Sequence, residues 1–276
     1  MSKSSRSPPT QIAKPPLPQC EGPKLNAFID DDAEITFLRL LSTPDPDAEA
    51  FVFEVLIGGK SYALKAFKYY DDAEDLFGLA DHERDEAPVD HLDYYCDPFY
   101  NEYRAYGKLV ENNLNGEVAV RCHGYLMLSA EYENQLGDRF PDLEWDRPSE
   151  EYEKPVSSRS PLRAIVKDLV LEANIWKPYV ARRMLRDLRK MRQLGIYPMD
   201  IKPENYTGSK LVDFSVAITL PNFLFDVKPA FQIQGYMNED LGAFDAMMQE
   251  QKVKTRQRAF RDNATVKKLR SYKDQD

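Results

Sequence analysis

The residues best suited to chemistry lie in one segment of the sequence, residues 200–215. Asp200, Lys202 and Asn205 belong to the run DIKPEN, and Asp213 opens the run DFS a few residues later. Carboxylate and amide oxygens are ligands that Mg²⁺ prefers, a carboxylate can accept a proton, and a lysine can neutralise an anion. The segment therefore contains the candidate site.

Two elements flank this segment and must position it. Residues 178–194 place four apolar side chains at helical spacing on one face and Arg or Lys on the other, and Gly195 is suited to end the helix. Residues 205–214 have the pattern of a small hairpin with its turn at residues 207–209. The sequence predicts that the site lies between a long helix and a strand hairpin.

The first half of the chain is predicted to be rich in strands. Gly58 and Gly59 form a tight turn between two of them, and residues 99–112 have helical spacing of apolar side chains. The predicted strands cover residues 35–41, 51–57, 61–67, 118–128 and 162–171. The order of elements predicts an α+β fold in two lobes.

At the candidate site the sequence resembles the protein kinase superfamily. The catalytic-loop pattern HRDLKPEN appears here as PMDIKPEN, and the DFG pattern appears as DFS. Lys65 in YALK matches the lysine of the third strand, and Glu102 matches its ion-pair partner on the following helix. Taken singly, Lys65 and Glu102 are typical of solvated side chains; their order around DIKPEN favours the resemblance. It implies a reduced bilobal kinase-like fold, with a small β-rich N-lobe and a minimal helical C-lobe.

The resemblance implies that ATP and Mg²⁺ are cofactors. Lys65 would hold the α- and β-phosphates, and Glu102 would fix its orientation. Asn205 and Asp213 would be the Mg²⁺ ligands, because this ion usually binds through one or two protein carboxylates and the nucleotide.

The resemblance also implies a reaction. Asp200 would orient a hydroxyl group and accept its proton, and Lys202 would neutralise charge on the transferred phosphoryl group. The predicted function is ATP- and Mg²⁺-dependent phosphotransfer to a hydroxyl group, on Ser or Thr of a protein. A small-molecule kinase is an alternative.

Several departures from the kinase pattern favour a second alternative. The loop of residues 43–50 has no glycine and carries three acidic residues, which repel a triphosphate. Pro198 and Met199 replace the His-Arg pair, Ser215 replaces the glycine of DFG, and no APE motif follows. These features predict a pseudokinase that acts as an interaction subunit, for example of a kinetochore complex.

The chain also resembles a fungal family of kinetochore subunits with a kinase-like core. The similar runs are ALKAFK, FYNEYRAYG, AIVKDL and LVDFS. This resemblance implies a nuclear, centromere-associated role for some members of that family.

The predicted domain organisation has four parts. Residues 1–30 are an unstructured leader, residues 31–171 an N-lobe, residues 172–250 a minimal C-lobe, and residues 251–276 a basic tail. The N-lobe is predicted to carry acidic inserts at residues 71–97 and 129–161.

Composition limits the partners. The net charge is -9; residues 252–276 contribute +6 and the remainder -15, which argues against nucleic-acid binding except through the tail. The three cysteines show neither disulfide nor zinc spacing, and no apolar run is long enough for a membrane span. We expect an intracellular protein, cytoplasmic or nuclear, that binds a nucleotide and a protein partner or substrate and no membrane.

Overall fold

The computed structural model describes residues 21–29, 33–43, 45, 47–70, 89–254 and 259. The strands in these residues are β1 Ile35–Leu40, β2 Ala50–Ile57, β3 Lys60–Phe67, β4 Cys122–Leu128, β5 Leu162–Asp168, β6 Ile196–Tyr197, β7 Tyr206–Thr207, β8 Lys210–Leu211 and β9 Ile218–Thr219. The helices are α1 Val89–Cys96, α2 Pro98–Glu111, α3 Ala130–Arg139, α4 Ser149–Tyr152, α5 Pro178–Gln193, α6 Leu224–Val227 and α7 Ala230–Glu250.

A five-stranded antiparallel sheet organises the first half of the fold. Its order is β1-β2-β3-β5-β4, and the β2–β3 hairpin turns at Gly58 and Gly59, whose φ angles of 55° and 80° favour glycine. The mixture of this sheet with helices confirms the predicted α+β class. The kinase-like arrangement of two lobes stays a prediction.

Side chains alternate between the two faces of the sheet, and apolar side chains on both faces are covered by other parts of the chain. Phe53, Leu64 and Val166 project from one face and pack with Leu136 of α3 and with Trp145. The opposite face carries Phe67 and Ile165, which share a second cluster with Phe99, Tyr103 and Tyr106 of α2. The sheet therefore has no solvated face at its centre, and polar side chains there need partners.

Residues 129–161, predicted to be a polar insert, form ordered structure over the sheet. They include α3, α4 and a 3-10 turn at Val156–Ser158. Buried Arg147 donates hydrogen bonds to Glu133, Glu151 and the carbonyl of Ser160, and so ties the segment together. The polar composition concealed this packing because the polar groups satisfy one another.

The N-terminal boundary also differs from the prediction. The expected leader extends to residue 30, but residues 21–29 lie against the sheet and α2, with Leu25 and Phe28 buried. The amide of Phe28 donates to the carbonyl of Tyr125 at 2.9 Å. Two apolar side chains among prolines and lysines are a weak signal for such packing. Residues 1–20 lie outside the described residues.

Other predicted elements appear with small changes. Helix α2 matches the predicted helix of residues 99–112 to within one residue at each end, and Leu109 is buried in it. Strand β4 begins at Cys122 rather than residue 118, and β5 ends at Asp168 rather than residue 171. Of the acidic insert predicted at 71–97, residues 71–88 lie outside the described residues and the remainder contains α1.

The second half of the fold contains α5, two short two-stranded sheets and α7. Helix α5 buries Val180, Met184, Leu188 and Met191, the four residues of its predicted apolar face. Strands β7 and β8 form the predicted hairpin, which turns at Gly208 and Ser209. No described helix is both long and apolar enough to cross a membrane. Most of the predicted basic tail lies outside the described residues.

Candidate functional site

Strand register brings two lysines to the face of the sheet that α2 covers. On β3 and β5, Lys65 lies opposite Ile165, and Lys167 lies opposite Ala63. Because side chains alternate along a strand, both lysines project to the same side as Ile165. Both are buried.

Helix α2 supplies the carboxylate that both lysines contact. Glu102 is fully buried, at 0% exposure. Its Oε2 lies 2.9 Å from Nζ of Lys65, and its Oε1 lies 2.6 Å from Nζ of Lys167. The predicted Lys65–Glu102 neighbours are therefore in contact. Lys167 was missed, although a lysine inside the apolar strand run AIVKD signals a buried partner.

The chain after β8 brings Asp213 to the same cluster. Oδ1 of Asp213 lies 2.6 Å from Nζ of Lys65 and accepts a hydrogen bond from the amide of Ser215 at 2.9 Å. The side-chain amide of Asn101 in α2 donates to the Ser215 carbonyl at 2.9 Å. Phe214 is buried against the ring of Tyr106, with ring centroids 5.1 Å apart. Helix α2 therefore holds this segment in place.

The ion pairs dominate the electrostatics of the cluster. Burial would lower the pKa of Lys65, but the charges and hydrogen bonds of Asp213 and Glu102 exceed that effect and raise the pKa above its ordinary value. Burial would raise the pKa of Asp213, but Lys65 and Lys167 lower it well below the usual carboxyl range. Both groups are charged at neutral pH.

Side chains of the loop between β6 and β7 form hydrogen bonds and an ion pair with one another. The Asn205 amide donates to the backbone carbonyl and to Oδ2 of Asp200, both at 2.9 Å. Nζ of Lys202 lies 2.7 Å from the same Oδ2, and this hydrogen bond is the main cause of the raised pKa of Lys202. The predicted residues of this loop are thus bonded to one another.

A cleft of about 700 Å³ collects most of the predicted site residues. Lys65, Asp200, Lys202, Asn205 and Asp213 line it, and Glu102 lies behind Lys65 outside the lining. Seven carboxylates stand among the described lining residues, against the ammonium groups of three lysines. They are Asp45, Asp47, Glu49, Asp168, Asp200, Glu204 and Asp213. The lining has a formal charge of about -4 when all ten groups are ionised.

The loop between β1 and β2 brings three of these carboxylates to the cleft. The carboxyl group of Glu49 lies near Ser215, Lys65 and Asp213. Burial raises the pKa of Glu49, and Ser215 and the charge of Lys65 oppose that effect. This loop therefore places negative charge where the resemblance expects a cover for phosphate.

The charges of the lining are unfavourable for ATP. Lys65 is already neutralised by two carboxylates, and a triphosphate would enter an acidic lining. The Asn205 nitrogen donates to Asp200, and Oδ1 of Asp213 is occupied by Lys65 and by the amide of Ser215. The described residues contain no group of three His, Cys, Asp or Glu side chains placed to hold a metal ion. The cleft in this arrangement is an ionic network, and we derive no phosphoryl-transfer step from it.

Comparison with known families shows which family the chain resembles. The family model described as kinetochore Sim4 complex subunit FTA2 matches residues 13–218. No curated protein matches the chain. The matched region includes the sheet, α2, α5 and the whole ionic network, and it ends before α6 and α7.

Proposed function

The chain belongs to the family of kinetochore Sim4 complex subunits described as FTA2, and on that basis we propose that it works in the nucleus as a protein-interaction subunit of a kinetochore complex. In this proposal its kinase-like residues maintain the fold and do not transfer phosphate. The membership supports protein partners and a nuclear location.

The ion pairs of Lys65 support the proposal that the kinase-like residues maintain the fold and do not transfer phosphate. Its ammonium group lies between Glu102 and Asp213, at 2.9 and 2.6 Å, in a cleft with more carboxylates than lysines. The pairing with Glu102 is also what a phosphate-binding lysine of a kinase needs, so the contact with Asp213 is the one that occupies the ammonium group in place of a phosphate. The observed pairing supports an architectural role.

ATP-dependent phosphotransfer stays a prediction of the kinase resemblance, and nucleotide binding tests it directly. The experiment is a thermal-shift titration of the full-length protein with ATP up to millimolar concentration, with and without Mg²⁺, on wild type and Asp213→Asn. A ligand that binds the native state at one hundred times its Kd raises stability by about 2.7 kcal/mol, which a melting curve resolves. We expect no Mg²⁺-dependent shift. A shift in wild type that Asp213→Asn abolishes would overturn the architectural role.

Assembly tests the interaction role. Asp200→Asn removes the carboxylate that a phosphotransferase would need; the side chain is 42% exposed and asparagine keeps an oxygen acceptor, so we expect the variant to fold. We expect tagged wild-type protein and Asp200→Asn to elute from native extract in the same large complex with other Sim4 components. Elution of the wild-type chain as a free monomer would contradict the proposal.

A further inference from the structure

The solvent-facing side of α5 is strongly basic. Four arginines are exposed along it: Arg182, Arg183, Arg186 and Arg189. Lys190 is partly exposed beside them. The opposite side of the helix is the apolar face that packs into the core. This concentration of positive charge contrasts with the charge of -15 on residues 1–251.

The described residues offer this basic face few partners. Arg182 and Arg189 make no hydrogen bond or ion pair within the described part of the chain. Arg186 approaches only Asp187, at 3.5 Å, and Lys190 lies 3.9 Å from Glu117, which is itself 61% exposed. The face thus has donors available for a ligand.

The arrangement is unfavourable for the helix itself. Arg186 stands three or four residues from each of four other cations, namely Arg182, Arg183, Arg189 and Lys190. Like charges at these spacings repel one another and destabilise a helix. A bound anion would relieve the repulsion among these cations.

The shape of the face favours an extended ligand. Three of these arginines, Arg182, Arg186 and Arg189, form a row along the helix. A shallow groove of about 240 Å³ runs beside this row, and its other lining residues are Leu185, Lys190 and Gln193. Along the helix axis the three arginines of the row are separated by about 6 and 4.5 Å. Glutamates on one face of a partner helix have the same spacing, and a guanidinium group binds a carboxylate through two parallel hydrogen bonds.

We propose that this face of α5 binds an acidic helical segment of a protein partner. The proposal rests on the proposed function, because it assigns the surface through which the interaction subunit would bind. Nucleic acid fits less well: the acidic remainder of the protein repels a long polyanion, whereas a short acidic segment contacts only the basic row.

The test measures binding of three fluorescent probes to the full-length protein by anisotropy. The first is an alanine-based helical peptide with glutamates one turn apart, the second is the same peptide with glutamine in place of glutamate, and the third is a DNA duplex of equal length. The test variant is Arg182→Gln/Arg186→Gln/Arg189→Gln, which keeps good helix formers on α5. The matched control is Lys60→Gln/Arg121→Gln/Lys177→Gln, which removes the same charge from exposed positions outside the row.

We expect the glutamate peptide to bind the wild type, and the α5 variant to weaken its Kd about tenfold, the effect of three exposed ion pairs of about 0.5 kcal/mol each. The control variant should change the Kd less than threefold. Equal losses in the two variants, failure of the glutamate peptide to bind, or tighter binding of the DNA would each overturn the proposal. A Mg²⁺-dependent ATP shift would overturn the proposed function and leave these affinities as they are, so the two failures are distinguishable.

Discussion

Nζ of Lys167 lies 2.6 Å from Oε1 of Glu102, on the side of the carboxylate opposite to Lys65. A single fully buried carboxylate therefore contacts two buried ammonium groups, and Asp213 supplies the second negative charge that balances them. Four charged groups with no net charge join the sheet to α2 and to the segment after β8.

Glu102→Gln should destabilise the protein severely. The substitution leaves two buried ammonium groups with one carboxylate, and breaking a buried ion pair costs about 3–5 kcal/mol. Urea unfolding followed by tryptophan fluorescence measures this loss. The control is Glu117→Gln, since Glu117 is exposed and 3.9 Å from Lys190; its effect should stay below about 0.5 kcal/mol. Equal stability of the two variants would show that the network contributes nothing to folding.

Gly107→Ala should loosen the N-terminal segment. A Cβ atom at Gly107 would lie 2.8 Å from the backbone carbon of Lys24, which is closer than side chains approach backbone. Overpacking of this kind costs about 1–3 kcal/mol. Hydrogen exchange should accelerate at the amide of Phe28, which bonds to Tyr125.

Gly137→Ala is the matched control for that substitution. Gly137 lies in α3 and a Cβ there would contact nothing within 4 Å, so alanine should stabilise the helix by about 0.5–1 kcal/mol. Unchanged exchange at Phe28 in the Gly107→Ala protein would contradict the close approach.

Asp240 should make stability depend on pH. Burial raises its pKa from 3.8 to about 6, against the opposing charge of Arg192, whose Nη1 lies 2.6 Å from Oδ1. A carboxyl group with a raised pKa in the folded state binds more protons than in the unfolded state. Its contribution to stability is therefore greatest below the unfolded pKa and falls as pH rises through the folded pKa.

Asp240→Asn should remove this dependence. Between about pH 4 and pH 7 the wild type should lose up to about 3 kcal/mol relative to the variant, since one pKa unit corresponds to about 1.4 kcal/mol. Urea unfolding at several pH values measures the difference. Asp226→Asn, which removes an exposed carboxylate, is the control. A flattening of equal size in that control would contradict the assignment to Asp240.

Removing the acidic residues of the β1–β2 loop should make the cleft accept anions. The variant Asp45→Asn/Asp47→Asn/Glu49→Gln keeps the hydrogen-bonding shapes and removes three negative charges from the lining. We expect ATP to raise the melting temperature of this variant at concentrations that leave the wild type unchanged, because like charges no longer oppose the phosphates. Thermal-shift titration measures the affinity.

The control for the loop variant removes the same number of negative charges from residues that do not line the cleft. It replaces exposed acidic residues of the segment that follows α3, as Asp142→Asn/Glu150→Gln/Glu153→Gln. If both variants gained the same affinity, total charge rather than the loop would govern anion binding.

Much of the fold follows from local patterns in the sequence. The alternation in β2 and β3, the Gly58–Gly59 turn and the apolar stripe of α5 all predict what the structure contains, because periodicity and turn chemistry are local properties. The packing of residues 21–29 depends instead on glycines far along the chain, at positions 107 and 124, which let the backbones approach. No local pattern reveals that dependence.

Some residues of the candidate site can likewise be predicted from local sequence, and others cannot. The segments around Asp200 and Asp213 are recognisable because their residue types and spacing are unusual, and the kinase resemblance then points to Lys65 and Glu102. Lys167 was missed because its role arises only when β5 pairs with β3 and α2 covers both strands. Whether internal carboxylates or a ligand occupy Lys65 likewise depends on interatomic distances in the folded protein. The spacing of residues along the sequence does not give those distances.

The hydrogen bond from Asn101 to the Ser215 carbonyl has a consequence for any anion that enters the cleft. To reach Lys65 such an anion must replace Asp213, and Asp213 is fixed by the amide of Ser215. Binding is therefore an exchange of one negative partner for another, and it works against the anchoring of residues 213–215 to α2. Asp213 therefore competes with any incoming anion for the ammonium group of Lys65.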